Sequence, residues 1–345
     1  MEVNRTEFLN VIAALKPAVA KKDIIEQQTH LIFTGTEIAA TNSRVLITYP
    51  FVSDIKASIK ADYLQKLLNS SASEKMTFTI GNGKFHVKSE DTKASITTVV
   101  DEEARVEELI EILKKEMTGE WKMLPAGFSD GVWLCAFSAS KKMTEGVIIA
   151  VFVQKEGIFT TDNRRASWYK LHESFDEEFL LSASDAIELS KFDVVEFLLT
   201  DNWAHFKTGS GVTFSTRILK GEQLPIRSVF DQFPDSEKIV LPVGTLKEAV
   251  DAVSFIFDKE KDADFWIDVK ITKGKISCRA MQDRGVVEKF IDFASYTGPE
   301  FSFRINPLFF SQVLERSVSI QLNGTESALF TSDDFSHIIL LPLSN

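Results

Sequence analysis

The chain is poor in the residues that build metal centres and disulfide frameworks. Its 345 residues hold two cysteines and five histidines. Cys135 and Cys278 stand far apart among apolar neighbours, which reads as buried thiols in a reducing compartment. His30, His86, His172, His205 and His337 show no metal-ligand spacing. No apolar run approaches the length of a membrane span, and MEVNRTEFLN has no apolar signal core, so a cytoplasmic protein without membrane contact is expected. Positive charge is also short: 39 Lys and Arg against 50 Asp and Glu leave −11, which excludes a uniformly basic nucleic-acid binder. No catalytic signature is present either. GNGKF at 81–85 and KTGSGVTF at 207–214 sit in predicted hairpins with no helix following, unlike a phosphate loop, and the run Asp176, Glu177, Glu178 is a solvated charge cluster. Neither an enzyme, a cofactor nor a bound metal is expected.

What the chain does have is repetition. TNSR begins at Thr41, TDNR at Thr161 and MQDR at Met281, a polar-then-Arg break every 120 residues. Each copy opens with an apolar-periodic helix candidate: RTEFLNVIAALKPAVA (5–20), PAGFSDGVWLCAFSAS (125–140) and PVGTLKEAVDAVSFIF (242–257). A hairpin follows, turning at Thr34-Gly35, at Lys155-Glu156-Gly157 and at Lys273-Gly274. Second helices start near Ile59, Leu181 and Phe303, with Asn306 before Pro307 a suitable N-cap. Closing hairpins carry Phe78, Phe197 and Ile320 at matching places, and ASITTVV, VTFSTRIL and HIILLPL finish the copies. His86 and His205 match in position, which suggests a structural role. The segment 101–121 falls between copies as an extra amphipathic helix or a charged linker, and its charge pattern favours a solvated spacer.

The expected fold class is therefore α+β, three tandem domains (1–118, 119–234, 235–345), each with two helices packed on antiparallel sheets. The six helix candidates carry a net +3, leaving −14 for the rest of the chain. Candidates for phosphate contact on those helices are Arg5, Lys16, Lys21, Lys22, Lys60, Lys66, Lys141, Lys142, Lys191 and Arg316.

The order of elements, TTDNRRAS in the middle copy and the ending SHIILLPLSN resemble the bacterial-type DNA sliding clamp, the beta subunit of the replicative polymerase, over essentially the whole chain. The chain is short and divergent for that family, as a phage-encoded version would be. The resemblance implies a homodimeric ring, each subunit forming half of it, that encircles double-stranded DNA without choosing sequence and tethers polymerase and clamp loader peptides. It also implies an apolar peptide pocket made by Val147, Thr161, Asp162, Arg165, Ala166, Pro225, Val229, Ile339, Leu341, Pro342 and Leu343. Asn163 stands where the family usually has Gly, which asks for positive φ, and Ala166 replaces a larger Leu, which widens the pocket. Thr161, Asp162 and Arg165 have a plainer reading as turn residues, Arg44 and Arg284 being comparable in the other copies. The contrasting reading of the whole chain is a β-rich scaffold protein that binds no DNA.

Overall fold

The computed structural model describes residues 1–25, 27–98, 105–173, 175–257 and 265–342. One order of elements occurs three times: a short strand, a helix, four strands, a second helix and three strands. The first helices are Arg5–Leu15, Phe128–Ala136 and Val243–Val253, and the second are Ala61–Ser70, Ala183–Leu189 and Pro307–Leu314. Their starts follow from local chemistry. Asn4 caps the first by accepting from the Glu7 N–H at 3.0 Å, and Asn306 caps the last by accepting from Leu308 and Phe309, with Pro307 at a position that needs no N–H.

The hairpins keep one register throughout. Thr41 faces Leu46, Thr161 faces Ala166 and Met281 faces Val286, each pair 120 residues beyond the last. Asn82 and Gly83, both at positive φ, close the hairpin between Lys75–Gly81 and Lys84–Lys88 as the sequence Asn-Gly demands. Gly157 is required by space as well as by φ +151°, because a Cβ there would meet the Tyr169 carbonyl oxygen at 2.2 Å.

Among the described residues the strands form sheets of four, eight, eight and four. In one eight-stranded sheet, Val45–Pro50 of the first copy pairs with Thr213–Arg217 of the second. In the other, Arg165–Lys170 of the second copy pairs with Phe335–Leu340 of the third. Contacts accordingly divide the chain into two compact units, Met1–Leu124 with Glu188–Leu219, and Pro125–Ile187 with Lys220–Asn345. The middle copy contributes half of itself to each unit because each half completes a neighbour's sheet.

Central strands such as Val45–Pro50 and Ala150–Gln154 are buried on both faces, so each eight-stranded sheet needs cover on both. In the first unit Phe33 turns to one side, against Phe8, Phe51 and Phe85, while Ile32 turns to the other. Phe8, Phe33, Phe78 and Phe85 are each at most 2% exposed and together contribute on the order of 10 kcal/mol of apolar burial. The face with Ile32, Ala39, Leu46 and Trp203 is covered by Ile110 of the helix Arg105–Glu116. This corrects the expectation of a solvated spacer: Ile110 is 2% exposed, and Lys114 pairs with Glu37. Residues 101–104 of that segment lie outside the described residues. In the second unit the short helix Arg227–Asp231 plays the same part, with the Arg227 guanidinium 3.7 Å from the centre of the Trp168 ring and Phe230 beyond it. Both connectors between copies therefore serve as lids on a sheet.

Candidate functional site

The turn 161–165 is built by its own side chains. The Thr161 hydroxyl donates to the Arg165 carbonyl at 2.8 Å and accepts from the Asn163 N–H at 3.1 Å. Asp162 Oδ1 accepts from the Arg164 and Arg165 N–H groups at 3.1 and 3.0 Å. Asn163 has φ +67°, as its place in the motif requires. The first copy repeats the arrangement: Thr41 donates to the Val45 carbonyl, Asn42 accepts from Arg44 and Val45, and Ser43 has φ +70°.

That superposition corrects one expectation. Arg44 and Arg284 match Arg164, whereas Arg165 matches Val45 and Gly285. The three repeated arginines are exposed, but Arg165 is 5% exposed. Its Nε donates to Asp162 Oδ2 at 2.9 Å, Nη1 to Gln312 Oε1 at 2.7 Å and Nη2 to the Phe137 carbonyl at 2.9 Å. Its guanidinium also lies 4.0 Å from the Phe309 ring centre. Burial pushes its pKa down and Asp162 opposes the shift. Arg165 is thus a rivet between second-copy and third-copy elements of this unit.

Beside it opens a groove of about 250 Å³ lined by Arg164, Phe265, Trp266, Asn306, Phe309, Leu340, Leu341 and Pro342. Of the residues expected in a pocket, Leu341 and Pro342 line it. Thr161 and Asp162 hold the adjoining turn, while Ala166 and Ile339 are buried, Ile339 directly opposite Arg165 in the sheet. Val147 belongs to the 3-10 turn Gly146–Ile149, near Gly221 and Leu180, and is not part of the groove lining. Pro225 and Val229 are exposed on the connector that crosses Trp168 and do not line the groove either. Leu343 lies outside the described residues. Arg164, Trp266 and Phe309 were missed; the recurrence of Arg164 in all three copies was a usable signal, whereas Trp266 and Phe309 come close only through folding. Aromatic walls with one cation at the rim suit an apolar peptide segment held by a few anchors.

The cations expected to face phosphate fall into two groups. Lys16 and Lys191 line one groove of about 640 Å³ in the first unit, with Ala13, Ala14 and Pro17. Lys21, Lys22, Lys66, Lys141 and Lys142 are exposed, and Lys60 lies 5.2 Å from the Tyr63 ring centre. Lys66–Asp62 (2.6 Å), Lys142–Glu145 (3.3 Å) and Lys191–Glu188 (2.8 Å) are surface pairs, weak enough to yield to a phosphate. Arg5 is held by Glu74 at 2.6 Å. Arg316 is withdrawn from the set: its side chain is 11% exposed, stacks on Trp133 and Phe137, and donates to the Gln312 carbonyl at 2.8 Å.

The matched histidines are structural. His86 and His205 each bond a serine on the next strand, Ser95 at 2.7 Å and Ser215 at 2.8 Å. Burial lowers His205 to about 4. His337 is lowered by burial, with Arg165 and Arg316 adding to the effect, and bonds Ser167. Among the described residues no three His, Cys, Asp or Glu side chains are grouped to hold a metal, and no helix is long and apolar enough to cross a membrane.

No family model matches the sequence, and no curated protein is similar to it at the level of sequence. Solved structures are similar in fold. The beta subunit from DNA polymerase of Streptococcus pyogenes superimposes with a TM-score of 0.79 at 18% identity, over 99% of both chains. The DNA polymerase sliding clamp from Bacillus subtilis gives 0.76 at 16%, over 100% of this chain and 99% of that one. The sliding clamp from Bartonella birtlesii, bound to griselimycin, gives 0.80 at 14%, with the same coverage. The fold is that of the bacterial sliding clamp. Within the sliding-clamp fold, the turn 161–165 and the strand Phe335–Leu340 stand side by side, which is what brings Arg164 and Leu341 to one groove.

Proposed function

We propose that this chain is a sliding clamp: a non-catalytic processivity factor, working in the cytoplasm, of which two copies close around duplex DNA and hold polymerase and clamp loader by short peptides. Each chain supplies three clamp domains, 1–118, 119–234 and 235–345. The observation that carries this reading is the count of sheets, four, eight, eight and four, in a fold that matches sliding clamps end to end. Two junctions join successive copies by the same pairing, and the two four-stranded sheets are the halves of a third. A heterologous contact repeated between two copies closes on itself and leaves no bare edge.

Holding DNA by enclosure needs only weak, sequence-blind contacts, which exposed lysines such as Lys16, Lys66, Lys141 and Lys191 supply. Peptides dock in the groove of Arg164, Trp266, Phe309, Leu341 and Pro342, where an apolar anchor displaces water from aromatic walls.

The test separates the two activities. Loaded onto nicked circular DNA, the protein stays bound through gel filtration in high salt and is lost once the circle is cut. Leu341→Ala keeps that retention but loses stimulation of the polymerase. Equal, salt-insensitive retention on circular and linear DNA contradicts enclosure, and full stimulation by Leu341→Ala removes the groove from the mechanism.

A further inference from the structure

The first unit carries an open groove at a place where the second copy is closed. The first helices of these two copies match at a shift of 120: Phe8 with Phe128, both 2% exposed, and Lys21-Lys22 with Lys141-Lys142 beyond them. Glu7 and Val11 therefore stand where the second copy has Gly127 and Gly131, and Tyr49 stands where it has Tyr169. In the second copy the tyrosine ring lies against those glycines. A Cβ on Gly127 would meet the Tyr169 hydroxyl at 2.6 Å, and one on Gly131 would meet the ring Cδ1 at 2.5 Å. Glu7 and Val11 carry that Cβ, so Tyr49 cannot settle on its helix in the same way. What remains beside Tyr49 is a groove of about 460 Å³, its walls including Glu2, Val3, Glu7, Val11 and Phe51.

The floor of the groove is apolar and its rim is acidic. Phe51 belongs to the ring cluster of Phe8 and Phe33, and Val11 is buried beside it. Glu2 and Glu7 are exposed, and among the described residues neither carboxylate has a hydrogen-bond or ion-pair partner. Arg5, the nearest cation along the chain, is taken by Glu74 at 2.6 Å. A main-chain edge completes the site. Glu2–Asn4 is the outermost strand of its sheet and, among the described residues, pairs only with Lys75–Gly81. Met1 and Phe78 exchange both of their bonds, the Met1 amine donating to the Phe78 carbonyl at 2.8 Å and the Phe78 N–H to the Met1 carbonyl at 2.9 Å. The alternation of an antiparallel ladder then turns the N–H and carbonyl of Glu2 outward.

We propose that this groove binds an extended segment of a partner protein in which an aliphatic or aromatic side chain is flanked by lysine or arginine. The apolar side chain enters between Val11, Tyr49 and Phe51, the flanking cations meet the carboxylates of Glu2 and Glu7, and the segment's main chain bonds the outward N–H and carbonyl of Glu2. The groove beside Arg164 has a cation at its rim, so the two grooves select segments of opposite charge and do not compete for one peptide. One chain can thereby hold two partners of different chemistry, whether or not it encloses DNA.

The experiment titrates the full chain against a fluorescein-labelled peptide of alternating lysine and leucine with a photo-crosslinking leucine at its centre. Anisotropy reports binding, and mass spectrometry places the crosslink within residues 1–11 or 49–51. Glu2→Gln and Glu7→Gln each weaken binding about fivefold, whereas Glu178→Gln, at an exposed carboxylate of the second unit, leaves it unchanged. The same peptide with glutamate in place of lysine binds about tenfold more weakly. Equal binding of the two peptides would remove the charge selection, and an equal effect of Glu178→Gln would show attraction to the net charge of −11 alone. Crosslinks beside Arg164 would place the peptide in the other groove, and a change of oligomeric state in Glu7→Gln would make a second copy the occupant. Any of these results, or no binding of the lysine peptide, overturns the proposal. Failure to stay on circular DNA counts against enclosure and leaves this groove standing.

Discussion

Arg165 offers the sharpest test of how the site is held. Replacing it with Ala removes three charge-assisted donors and leaves Asp162, the Gln312 oxygen and the Phe137 carbonyl without them. Breaking a buried ion pair costs about 3–5 kcal/mol. The lower end applies here, since Asp162 is 14% exposed and keeps two N–H donors of the turn, so the loss is about 3 kcal/mol. For a unit of this size that lowers the melting temperature by roughly 10 °C. Arg165→Lys keeps the charge but reaches one partner of three, and loses roughly half as much. Calorimetry of both variants, with a fluorescence titration of a polymerase-derived peptide, gives the two readouts. The expected result is a large thermal loss and, below the transition, peptide affinity changed less than threefold. A melting point within about 2 °C of the parent together with abolished peptide binding would show that Arg165 contacts ligand and is no rivet.

Two further outcomes test the lids and the buried polar groups. Ile110→Ala removes a side chain of Arg105–Glu116 that enters the cluster with Ile32, Leu46 and Trp203; it costs about 2–4 kcal/mol locally and is seen as fast hydrogen exchange in residues 105–116, whereas Ile112→Ala, at an exposed site, leaves exchange unchanged. His205 is held neutral, its pKa lowered by burial to about 4 from near 6.5. Stability from this residue is therefore complete above pH 6.5 and falls as pH drops toward 4, by roughly 3 kcal/mol in all. Urea midpoints at pH 7.5 and 4.5 should show that loss in the parent and a smaller one in His205→Asn; equal losses would contradict the burial argument.

Much of the architecture was legible because a period of 120 residues is strong information. Six helices and the hairpins around Asn82-Gly83, Gly157 and Gly274 lie where caps, turns and alternation place them. The short opening strands Glu2–Asn4, Lys122–Met123 and Ile239–Val240 have two or three residues and no pattern, so only pairing reveals them. The helix Arg105–Glu116 reads as a solvated segment because most of its residues are charged, yet Ile110 is buried on a sheet face.

The site was harder to read for a reason that lies in strand geometry. Adjacent residues of a strand face opposite sides, so a correspondence displaced by one position exchanges core for surface. Equating Arg165 with Arg44 made that exchange: the repeated, exposed arginine is Arg164, and its neighbour is the buried one. Ile339 and Leu340 differ in the same way, the first 1% exposed and the second 56%. Two copies resolve such slips, because a turn whose hydroxyl, accepting side-chain oxygen and positive-φ residue recur at Thr41, Asn42 and Ser43 fixes the phase of Thr161, Asp162 and Asn163 without reference to any other protein. What the repeat cannot supply is what only one copy possesses. Trp266 and Phe309 belong to the third copy, and the groove they line is built from such departures.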